Sequence, residues 1–371
     1  MKKVKLGEIC EIVTGSTPKS SNPNYWNGEY KWITPAEISD DDFIVFDTQR
    51  KITKLGIEKT GLKSFPKGTV LLSSRAPIGK VAISGCEMYC NQGFKNFICS
   101  NKINNEYLYY FLKSKKNYLN VLGRGATFKE ISKSIVSNID ISLPTYGIQR
   151  KKVKVLKKID KLIDTRKEQL IEFRYLLKSR FNEMFGDIFD TTFPIYRLEE
   201  LCEFIKDGTH QTPQYTDDRT NGFKFLSSKD VTSGKISWEN IKYITESLHN
   251  ELYSKISPRR NDILLAKNGT TGIAALVDCD EIFDIYVSLA ILRFYDGNNP
   301  TYLLYAINSD ATKWQFESKL KGVGVPNLHL REIRKTKIPL PPLSLQNEFA
   351  DFVAQVDKSQ FACEIVIKLW R

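Results

Sequence analysis

Residues 147–185 read GIQRKKVKVLKKIDKLIDTRKEQLIEFRYLLKSRFNEMF, a run without proline and without glycine after its first residue. Apolar side chains recur in it at alternating steps of three and four residues, and the polar Arg166 occupies one seam position. Such a rhythm is typical of a helix that pairs with another helix along its length. At 1.5 Å per residue, the stretch predicts a helix about 57 Å long that Gly186 ends. The seam residues are Leu156, Ile159, Ile163, Leu170, Phe173, Leu177, Phe181 and Met184.

A second stretch with a similar rhythm begins after Pro341 and Pro342 and runs to Arg371. Its helix would be about 40 Å long at 1.5 Å per residue. Two helices with matching apolar seams bury both seams when they pair, so the two stretches predict an antiparallel coiled coil. The alternative is a lone helix packed on a globular domain, but the first stretch exceeds an ordinary helix in length. The apolar positions of the second stretch are Leu345, Phe349, Phe352, Val356, Cys363 and Ile367.

The sequence before each long stretch occurs twice. Leu6–Glu11 returns 192 residues later as Leu198–Glu203, and Val70–Gly79 returns 193 residues later as Ile263–Gly272. The Leu-Pro signal that precedes each long stretch returns after 197 residues, a drift that a few loop insertions produce. A period this long is far above that of solenoid repeats, so the chain is predicted to be a duplicated domain.

Each copy opens with short apolar runs bounded by Gly, Pro, Asn and Asp, a pattern typical of strands in a sheet. A helical piece follows in each copy, at residues 106–119 and 301–319. We therefore predict an α/β (α+β) chain with a pseudo-twofold internal repeat. Its expected parts are a first globular domain, a central helical spacer, a second globular domain and a short C-terminal helical spacer, at residues 1–145, 146–190, 191–342 and 343–371.

Composition favours a soluble globular chain with a polyanionic partner. Of the 371 residues, 41% are hydrophobic and 26% are charged. No apolar run approaches the ~18 residues of a membrane span. Lys and Arg number 55 against 43 Asp and Glu, which gives a net charge of +12. Many intracellular proteins are basic, but folding does not require such an excess, so a nucleic acid is the first expectation.

The seven cysteines are an odd number scattered along the chain, which suits a reducing cytoplasm better than a disulfide framework. The start of the chain has basic residues but no apolar segment of a secretory signal, so we expect a cytoplasmic protein with no membrane association. Cys86, Cys90 and Cys99 lie close enough to consider zinc, but they lack the spacing of a zinc knuckle and a nearby histidine. We predict buried thiols there and no metal site.

Residues for catalysis are hard to find. Three histidines, His210, His249 and His329, are too few and too dispersed for a Ser-His-Asp or metallohydrolase site. The sequence has no Gly-x-x-x-x-Gly-Lys-Ser/Thr phosphate loop and no Gly-x-Gly-x-x-Gly. It also lacks the Asn-Pro-Pro-aromatic segment with which amino-methyltransferases orient a flipped base. We therefore predict no catalytic residue in this chain.

Side chains suited to binding are concentrated in glycine-bearing loops at matched places of the two copies. Arg, Asn, Gln and Lys can read base edges, while Ser, Thr and backbone amides contact phosphates. Each loop alone is weak evidence, but their matched placement suggests two DNA-reading surfaces with different side chains. The candidate DNA-binding residues are Thr17, Lys19, Tyr25, Trp26, Arg75, Asn91, Gln92, Arg124, Thr127 and Lys129 in the first copy, and Thr209, His210, Gln211, Tyr215, Lys267, Asn268, Lys319 and Lys321 in the second.

The order of these motifs resembles that of the specificity (S) subunit of Type I restriction-modification systems, over essentially the whole chain. Any single motif is weak evidence, but the order of the motifs across the two copies is specific. The resemblance rests on Gly15–Pro18, Asn22–Gly28, Trp32–Pro35, Arg75–Gly79 and Asn91–Phe94, then Leu177–Gly186, and finally Asp207–Tyr215, Asp262–Ala266 and Leu340–Gln346.

The resemblance implies a subunit that catalyses nothing and holds no cofactor. In this family two target recognition domains each read one half of a split double-stranded DNA sequence, and paired helices set the gap between the halves. The helices also dock two modification subunits, which use S-adenosylmethionine to methylate adenine, and restriction subunits that use ATP and Mg²⁺ join to cut. The unlike loops of the two copies predict an asymmetric target. The second helix is shorter than is usual in the family, which predicts a shortened helical pair.

Two other functions stay open at this point. The chain could be a self-contained methyltransferase or nuclease of a related restriction class, although the missing methyltransferase signatures argue against it. It could also be a coiled-coil adaptor that binds only protein. The adaptor predicts no salt-sensitive DNA affinity, whereas phosphate contacts predict a steep fall of log K with log[salt].

Overall fold

The computed structural model describes residues 3–75, 77–124, 129–186, 190–231, 234–320 and 326–370. The chain forms two compact units, Met1–Leu162 and Ile163–Arg371, and the boundary between them falls inside one long helix. Within the described ranges, no helix is both long enough and apolar enough to cross a membrane.

The first unit consists of short strands and short helices followed by the start of the long helix. Its strands are β1 (Lys3–Lys5), β2 (Cys10–Val13), β3 (Trp26–Ile33), β4 (Ile44–Val45), β5 (Arg50–Ile52), β6 (Val70–Leu72), β7 (Val81–Ser84), β8 (Tyr89–Cys90), β9 (Asn96–Cys99) and β10 (Asp140–Ser142). Its helices are α1 (Leu6–Ile9), α2 (Lys54–Thr60), α3 (Asn105–Ser114), α4 (Lys116–Leu122), α5 (Lys133–Ser137) and the first part of α6 (Tyr146–Phe185).

The second unit repeats this series of elements. Its strands are β11 (Ile195–Arg197), β12 (Cys202–Asp207), β13 (Tyr215–Thr216), β14 (Phe223–Leu226), β15 (Lys242–Ile244), β16 (Ile263–Ala266), β17 (Ala274–Leu276), β18 (Phe283–Ile285), β19 (Leu289–Phe294) and β20 (Lys337–Pro339). Its helices are α7 (Leu198–Leu201), α8 (Glu246–Tyr253), α9 (Pro300–Asn308), α10 (Asp310–Glu317), α11 (Leu330–Lys335) and α12 (Leu343–Trp370), together with the rest of α6.

The sheets of the two units share a common strand order, to which the first unit adds β4 and the second adds β13. The first unit has the order β2-β9-β6-β7-β4 in one sheet and β5-β3-β8 in another, and β1 pairs with β10. The second unit has β12-β19-β16-β17 and β13-β15-β14-β18, and β11 pairs with β20. The register also agrees, because Val70 lies opposite Phe97 and Ile263 lies opposite Leu292. The predicted α/β class and internal repeat are confirmed.

The central strands β6 and β16 are buried on both faces of their sheets. In β16, Ile263 and Leu265 pack into one apolar cluster, while Leu264 and Ala266 pack into another. Alternate side chains of a strand point to opposite faces, so a strand covered on both sides reads as a continuous apolar run. This explains the short apolar runs in the sequence.

The two predicted helical pieces are each broken into two helices. Residues 106–119 contain α3 except for its first residue and the start of α4, with the break at Lys115. Residues 301–319 contain α9 and α10, and the break falls at Ser309, whose side chain accepts a hydrogen bond from Thr312 N. A serine that caps the N-terminus of a helix begins a new helix at that point, and this local signal was missed.

The long helix α6 spans 40 residues, from Tyr146 to Phe185, and agrees with the prediction to one residue at its start. It ends before Gly186, whose φ of +67° is left-handed. Within the second unit α12, which has 28 residues, packs against α6. Arg180 forms an ion pair with Glu348 at 3.1 Å, whereas Gln169 accepts a hydrogen bond from Cys363 at 3.8 Å. From the first contact to the second, the residue number decreases along α6 and increases along α12. The pair is therefore antiparallel, as predicted.

The apolar seam of this pair follows the predicted positions. Leu177, Phe181 and Phe185 of α6 share one buried cluster with Phe349, Val353 and Val356 of α12, and Phe173 and Phe352 pack against it. Ile163 is buried, and Ile159 and Leu170 are half-buried. Leu156 corrects the prediction, because it packs against the apolar core of the first unit. The start of α6 covers the globular part of that unit, and its apolar side chains serve that core.

Candidate nucleic-acid interface

In each unit a glycine lets one loop cross a neighbouring strand at close range. A Cβ on Gly15 would lie 1.7 Å from the carbonyl oxygen of Cys90, and a Cβ on Gly208 would lie 2.2 Å from that of Ile285. The residues that follow each glycine, Ser16 and Thr209, donate backbone hydrogen bonds to these same carbonyls at 3.1 and 3.0 Å. The crossing carries the loops that begin at residues 15 and 208 to the ends of β8 and β18.

In the first unit this crossing brings two predicted binding loops together. The Thr17 hydroxyl donates to Gln92 Oε1 at 2.5 Å. Asn91 Oδ1 accepts from Gly93 N at 2.9 Å, so the Asn91 side chain stabilises the turn that presents exposed Gln92. Thr17 and Gln92 thus form one polar edge, whereas Asn91 acts as a turn residue.

A cluster of basic residues surrounds one carboxylate in the first unit. Lys95 Nζ lies 3.1 Å from Glu130 Oε1, and Arg75 Nη1 lies 3.9 Å from Glu130 Oε2. Arg124 and Glu130 exchange two backbone hydrogen bonds, at 3.0 and 2.9 Å. Arg124 and Lys129 are exposed. Two cations share one carboxylate here and two exposed basic residues adjoin it in the chain, so positive charge is in excess, which is the electrostatic condition for holding a phosphate backbone.

The second unit has a different set of groups at the corresponding place. Lys267 Nζ lies 2.5 Å from Asp207 Oδ1, and His210 Nε2 lies 3.5 Å from Asp207 Oδ2. Asn268 and Asn327 face each other across a β-bridge. The Oδ1 atom of each asparagine is buried and has no hydrogen-bond partner among the described residues. The surface is therefore built on amides and a histidine where the first unit has arginines.

Each unit also holds an exposed cation over an aromatic ring. Arg50 Cζ lies 3.5 Å from the centroid of the Trp26 ring, and Lys242 Nζ lies 3.8 Å from that of the Tyr215 ring. Neither cation is among the predicted site residues, because both lie on strands and the matched motifs lie in loops. The spacing of 192 residues between Arg50 and Lys242, which is the spacing of the repeat, is the signal that could have found them.

A buried histidine–aspartate pair joins α8 to β18. His249 Nδ1 lies 2.7 Å from Asp284 Oδ2, and the His249 ring stacks on Phe223 with centroids 3.7 Å apart. Burial raises the pKa of Asp284 above its ordinary value, and the hydrogen bond and positive potential of His249 oppose this rise. The side chains of His249 and Asp284 are only 8% and 2% exposed, so the pair holds the helix on the sheet and does not face a ligand.

The cysteines of the first unit are buried or half-buried thiols. Burial raises the pKa of the Cys90 thiol to about 12, and Asn96 Nδ2 donates to its sulfur at 3.2 Å. Cys10 lies directly opposite Cys99 in the β2–β9 pair, and a hydrogen bond with Cys99 is the main reason why the pKa of Cys10 is also raised. Among the described residues, no group of three or more His, Cys, Asp or Glu side chains is arranged to hold a metal ion.

Comparison with known proteins matches this duplicated architecture to one family. The family model for the Type I restriction modification DNA specificity domain matches residues 1–173 and 191–367. The chain belongs to this family. The type I restriction enzyme MjaIX specificity subunit of Methanocaldococcus jannaschii is 28% identical over 372 residues, which cover 94% of this chain and 85% of that protein.

Two solved structures share the fold of this specificity subunit. One is the S subunit of a Type I restriction-modification system from M. genitalium, with a TM-score of 0.51 and 14% identity over 99% of this chain and 92% of that one. The other comes from work on complex assembly and conformational transition of the type I R-M system, with a TM-score of 0.61 and 20% identity over 99% and 92%. Both confirm the predicted combination of two globular domains with long helices.

The predicted site residues of this specificity subunit fall into three groups. Exposed or half-buried residues on the loops keep the role of candidate contacts: Thr17, Lys19, Tyr25, Gln92, Arg75, Arg124, Lys129, Thr209, His210, Gln211, Tyr215, Asn268 and Lys319. Three residues support their neighbours: Trp26 and Lys267 are buried and do not form the surface, and Asn91 stabilises a turn through its side chain. Thr127 and Lys321 lie outside the described residues.

Proposed function

We propose that this chain reads DNA with its two units and leaves every chemical step to other subunits of a type I restriction-modification complex. Membership of the specificity family, the internal duplication and the net charge of +12 support this proposal. A chain with this role works in the cytoplasm, where chromosomal DNA is found.

The observation that carries the proposal is that corresponding positions of the two units bear unlike side chains suited to DNA. Arg75 faces Glu130 across a β-bridge in the first unit, and Asn268 faces Asn327 across the corresponding bridge in the second. Arginine pairs best with guanine in the major groove, and an asparagine at the equivalent position cannot make that contact. Two units built in this way read two different half-sequences, which makes the target bipartite and asymmetric.

The helical pair supports the second part of the proposal, which is that protein subunits dock on this chain. Phe361, Ile365 and Leu369 recur at four-residue intervals on α12, and their side chains are 63%, 42% and 83% exposed. Ile171 and Tyr175 of α6 are 53% and 68% exposed. Exposed apolar side chains that recur along a helix in this way are typical of sites for protein partners. We assign them to two modification subunits, with restriction subunits joining that assembly.

The cofactors of the complex belong, in this proposal, to the partners. The modification subunits would use S-adenosylmethionine to methylate adenine, and the restriction subunits would use ATP and Mg²⁺. This chain contributes recognition and spacing. The loops that carry Arg75, Arg124 and Gln92 would face one half of the target, and those that carry His210, Gln211 and Asn268 the other.

Methylome sequencing tests the proposal directly. Cells that hold the modification subunits are compared with and without this chain, and with the chain carrying Arg75→Ala. We expect methylated adenines in one split motif that disappears without the chain. With Arg75→Ala, base preference should relax in one half of the motif only. The expected loss is about 1–3 kcal/mol of discrimination against the wrong base, which is what a bidentate base contact provides.

Three outcomes would contradict the proposal. Methylation or cleavage of DNA by the purified chain with S-adenosylmethionine alone would make it a self-contained enzyme. DNA affinity that does not depend on salt, together with the absence of any motif, would make it a protein adaptor. Relaxation of both halves, or of neither, by Arg75→Ala would contradict the assignment of one half to each unit.

A further inference from the structure

The exposed cations over aromatic rings occupy corresponding places in the two units. In the first unit Trp32 lies opposite Arg50 in the β3–β5 pair, and in the second Phe225 lies opposite Lys242 in the β14–β15 pair. The second ring of each unit also corresponds, because Trp26 lies opposite Ile52 and Tyr215 lies opposite Ile244. We name Trp26, Trp32 and Arg50 the first cradle, and Tyr215, Phe225 and Lys242 the second cradle.

The geometry of the two cradles is alike. The rings of Trp26 and Trp32 meet edge to face at 5.0 Å between centroids, and those of Tyr215 and Phe225 do so at 6.1 Å. Arg50 lies over the first ring of its pair, and Lys242 over the first ring of its own. A ring beneath a long cationic side chain limits the rotamers of that side chain, so less conformational entropy is lost when it binds an anion.

The charge of each cation is left for an outside partner. Both side chains are exposed, and in the part of the chain that the structure describes no carboxylate lies within ion-pair distance of Arg50 or Lys242. An aromatic face attracts a cation but does not neutralise it. The buried lysines differ in this respect, because Lys95 and Lys267 each have a carboxylate partner.

The cradles adjoin the candidate DNA surface. Trp32 Nε1 donates to Ser16 O at 3.1 Å, and Trp26 Nε1 donates to Lys19 O at 3.4 Å, so the first cradle holds the loop that contacts Gln92. In the second unit Phe225 contacts Tyr286 at 6.1 Å between centroids, and Tyr286 forms a β-bridge with Thr209. Both cations therefore lie beside the loops that begin at Gly15 and Gly208.

What the two units share indicates what these cations bind. Positions that we assign to base reading differ between the units, as Arg75 and Asn268 do, because the two half-sites differ. The phosphodiester backbone is the same in every half-site. We propose that Arg50 and Lys242 are a matched pair of backbone-phosphate contacts, one in each unit. This inference rests on the proposed function and adds to it the residues that position each unit on the duplex.

The experiment measures the salt dependence of DNA binding for the full chain assembled with its modification subunits. The probe is a fluorescent 40-base-pair duplex of mixed sequence, titrated between about 50 and 200 mM salt. Arg50→Gln and Lys242→Gln should each reduce the magnitude of the negative slope of log K against log[salt] by about one. The double variant should reduce it by about two. Arg50→Lys keeps the charge over the ring and should restore the wild-type slope.

Lys152→Gln is the matched control. Lys152 is exposed and lies 6.0 Å from the Tyr107 ring, so its replacement removes the same charge and a cation–aromatic contact from α6. Its slope should equal that of the wild type. The thermal unfolding midpoint of every variant is measured in parallel. If Arg50→Gln unfolds, Lys242→Gln still decides the question, because it removes the matching cation of the second unit and leaves the first unit unchanged.

The outcomes separate this inference from the proposed function. A steep slope for the wild type that neither glutamine variant changes would overturn the inference and leave the proposed function intact. A wild-type complex without salt-dependent binding would contradict the proposed function itself. The methylation motif should stay the same in Arg50→Gln and Lys242→Gln cells, since phosphate contacts carry no base information. A changed motif would make these residues base readers and would overturn the phosphate assignment.

Discussion

Each unit buries one lysine that is paired with a carboxylate beside the binding loops, but the two pairs are built from residues that do not correspond. The strand registers of the two units make four positions equivalent: Thr14 to Asp207, Ser74 to Lys267, Lys95 to Ala290, and Glu130 to Asn327. In the first unit the pair is Lys95 with Glu130, whose equivalents in the second unit are Ala290 and Asn327. In the second unit the pair is Lys267 with Asp207, whose equivalents in the first unit are Ser74 and Thr14. Lys95 Nζ reaches Ser74 Oγ at 3.2 Å, so an ammonium group lies at or beside the 74/267 position in both units.

This difference shows which features of the duplicated domain are constrained. The positive group beside the loops is retained, whereas the residues that supply it and neutralise it have changed. The exchange alters the surface above, because Glu130 of the first unit is shared with Arg75, while Asp207 of the second is shared with His210. A common support therefore carries unlike reading groups.

The largest expected effect is the loss of the lysine from the pair in the second unit. Lys267→Met leaves Asp207, whose side chain is only 17% exposed, without its main partner. An uncompensated buried charge costs about 3 kcal/mol of unfolding free energy. Lys95→Met should cost about 1 kcal/mol or less, because Glu130 is 40% exposed and keeps Arg75 nearby. Hydrogen exchange of peptides from β16 and β6 measures the two losses separately.

The control is the double variant Lys267→Met with Asp207→Leu. Removal of both charges takes away the uncompensated carboxylate, so most of the stability should return. An equal or larger loss in Lys95→Met than in Lys267→Met would show that exposure of the carboxylate does not distinguish the two pairs.

The next effect concerns the feature that the two units share, the glycine at the strand crossing. Gly15→Ala and Gly208→Ala each place a Cβ well inside contact distance of a backbone carbonyl. The strands must separate, and we expect a cost of about 2 kcal/mol or more in each unit. Thermal unfolding and DNA affinity report it, since the same crossing positions the loops.

Gly147→Ala provides the comparison substitution, because no atom lies within 4 Å of the added Cβ and the residue is helical. It should leave stability unchanged or raise it by up to about 1 kcal/mol. Tolerance of alanine at Gly15 but not at Gly208 would mean that the crossings are not equivalent.

The smallest effect is a dependence on pH that only the second unit should have. Burial raises the pKa of Asp284, and His249 opposes the rise. A raised pKa favours the protonated form in the folded state, so this contribution to stability is full below the unfolded pKa of about 4 and is lost as pH rises through the folded value. His249→Phe removes the opposing partner. Its deficit against the wild type should therefore grow from pH 4 to pH 7, to about 1–2 kcal/mol.

Tyr89 gives the matched test in the first unit, because strand register places it where the second unit has Asp284. Burial raises the pKa of Tyr89 above the ordinary tyrosine value, so its hydroxyl stays neutral across this range. Tyr89→Phe should change stability by the same amount at pH 4 and at pH 7. Urea unfolding at both values measures both variants, and a deficit of His249→Phe that is independent of pH would contradict the role given to Asp284.

The long helices could be predicted from the sequence almost to the residue, and so could the duplication. The reason is that each depends on a pattern that recurs along the chain. Apolar steps of three and four residues define the seam from Ile163 to Phe181 whatever the neighbouring elements are. Leu156 follows the same rhythm but packs on the first unit, because periodicity predicts which face is buried and not which partner covers it.

The candidate site could be predicted only as a set of loops. The matched motifs located Arg75, Gln92 and Asn268, and the structure places them beside the strand crossings. It also buries Lys267, which was expected at the surface, because Asp207 lies across the sheet at a distance that no motif encodes. Arg50 and Lys242 were missed for a related reason, since the face that a strand side chain occupies depends on register.

The sequence by itself therefore determined the duplicated architecture, the helical pair and the charge that suits a polyanion, because these depend on periodicity and composition. Only the tertiary structure decided which cations are neutralised and which remain free. That outcome depends on distances between residues far apart in the chain, such as the 60 positions that separate Asp207 from Lys267. Charge neutralisation is a short-range effect in space, and only the folded sheet brings these groups together.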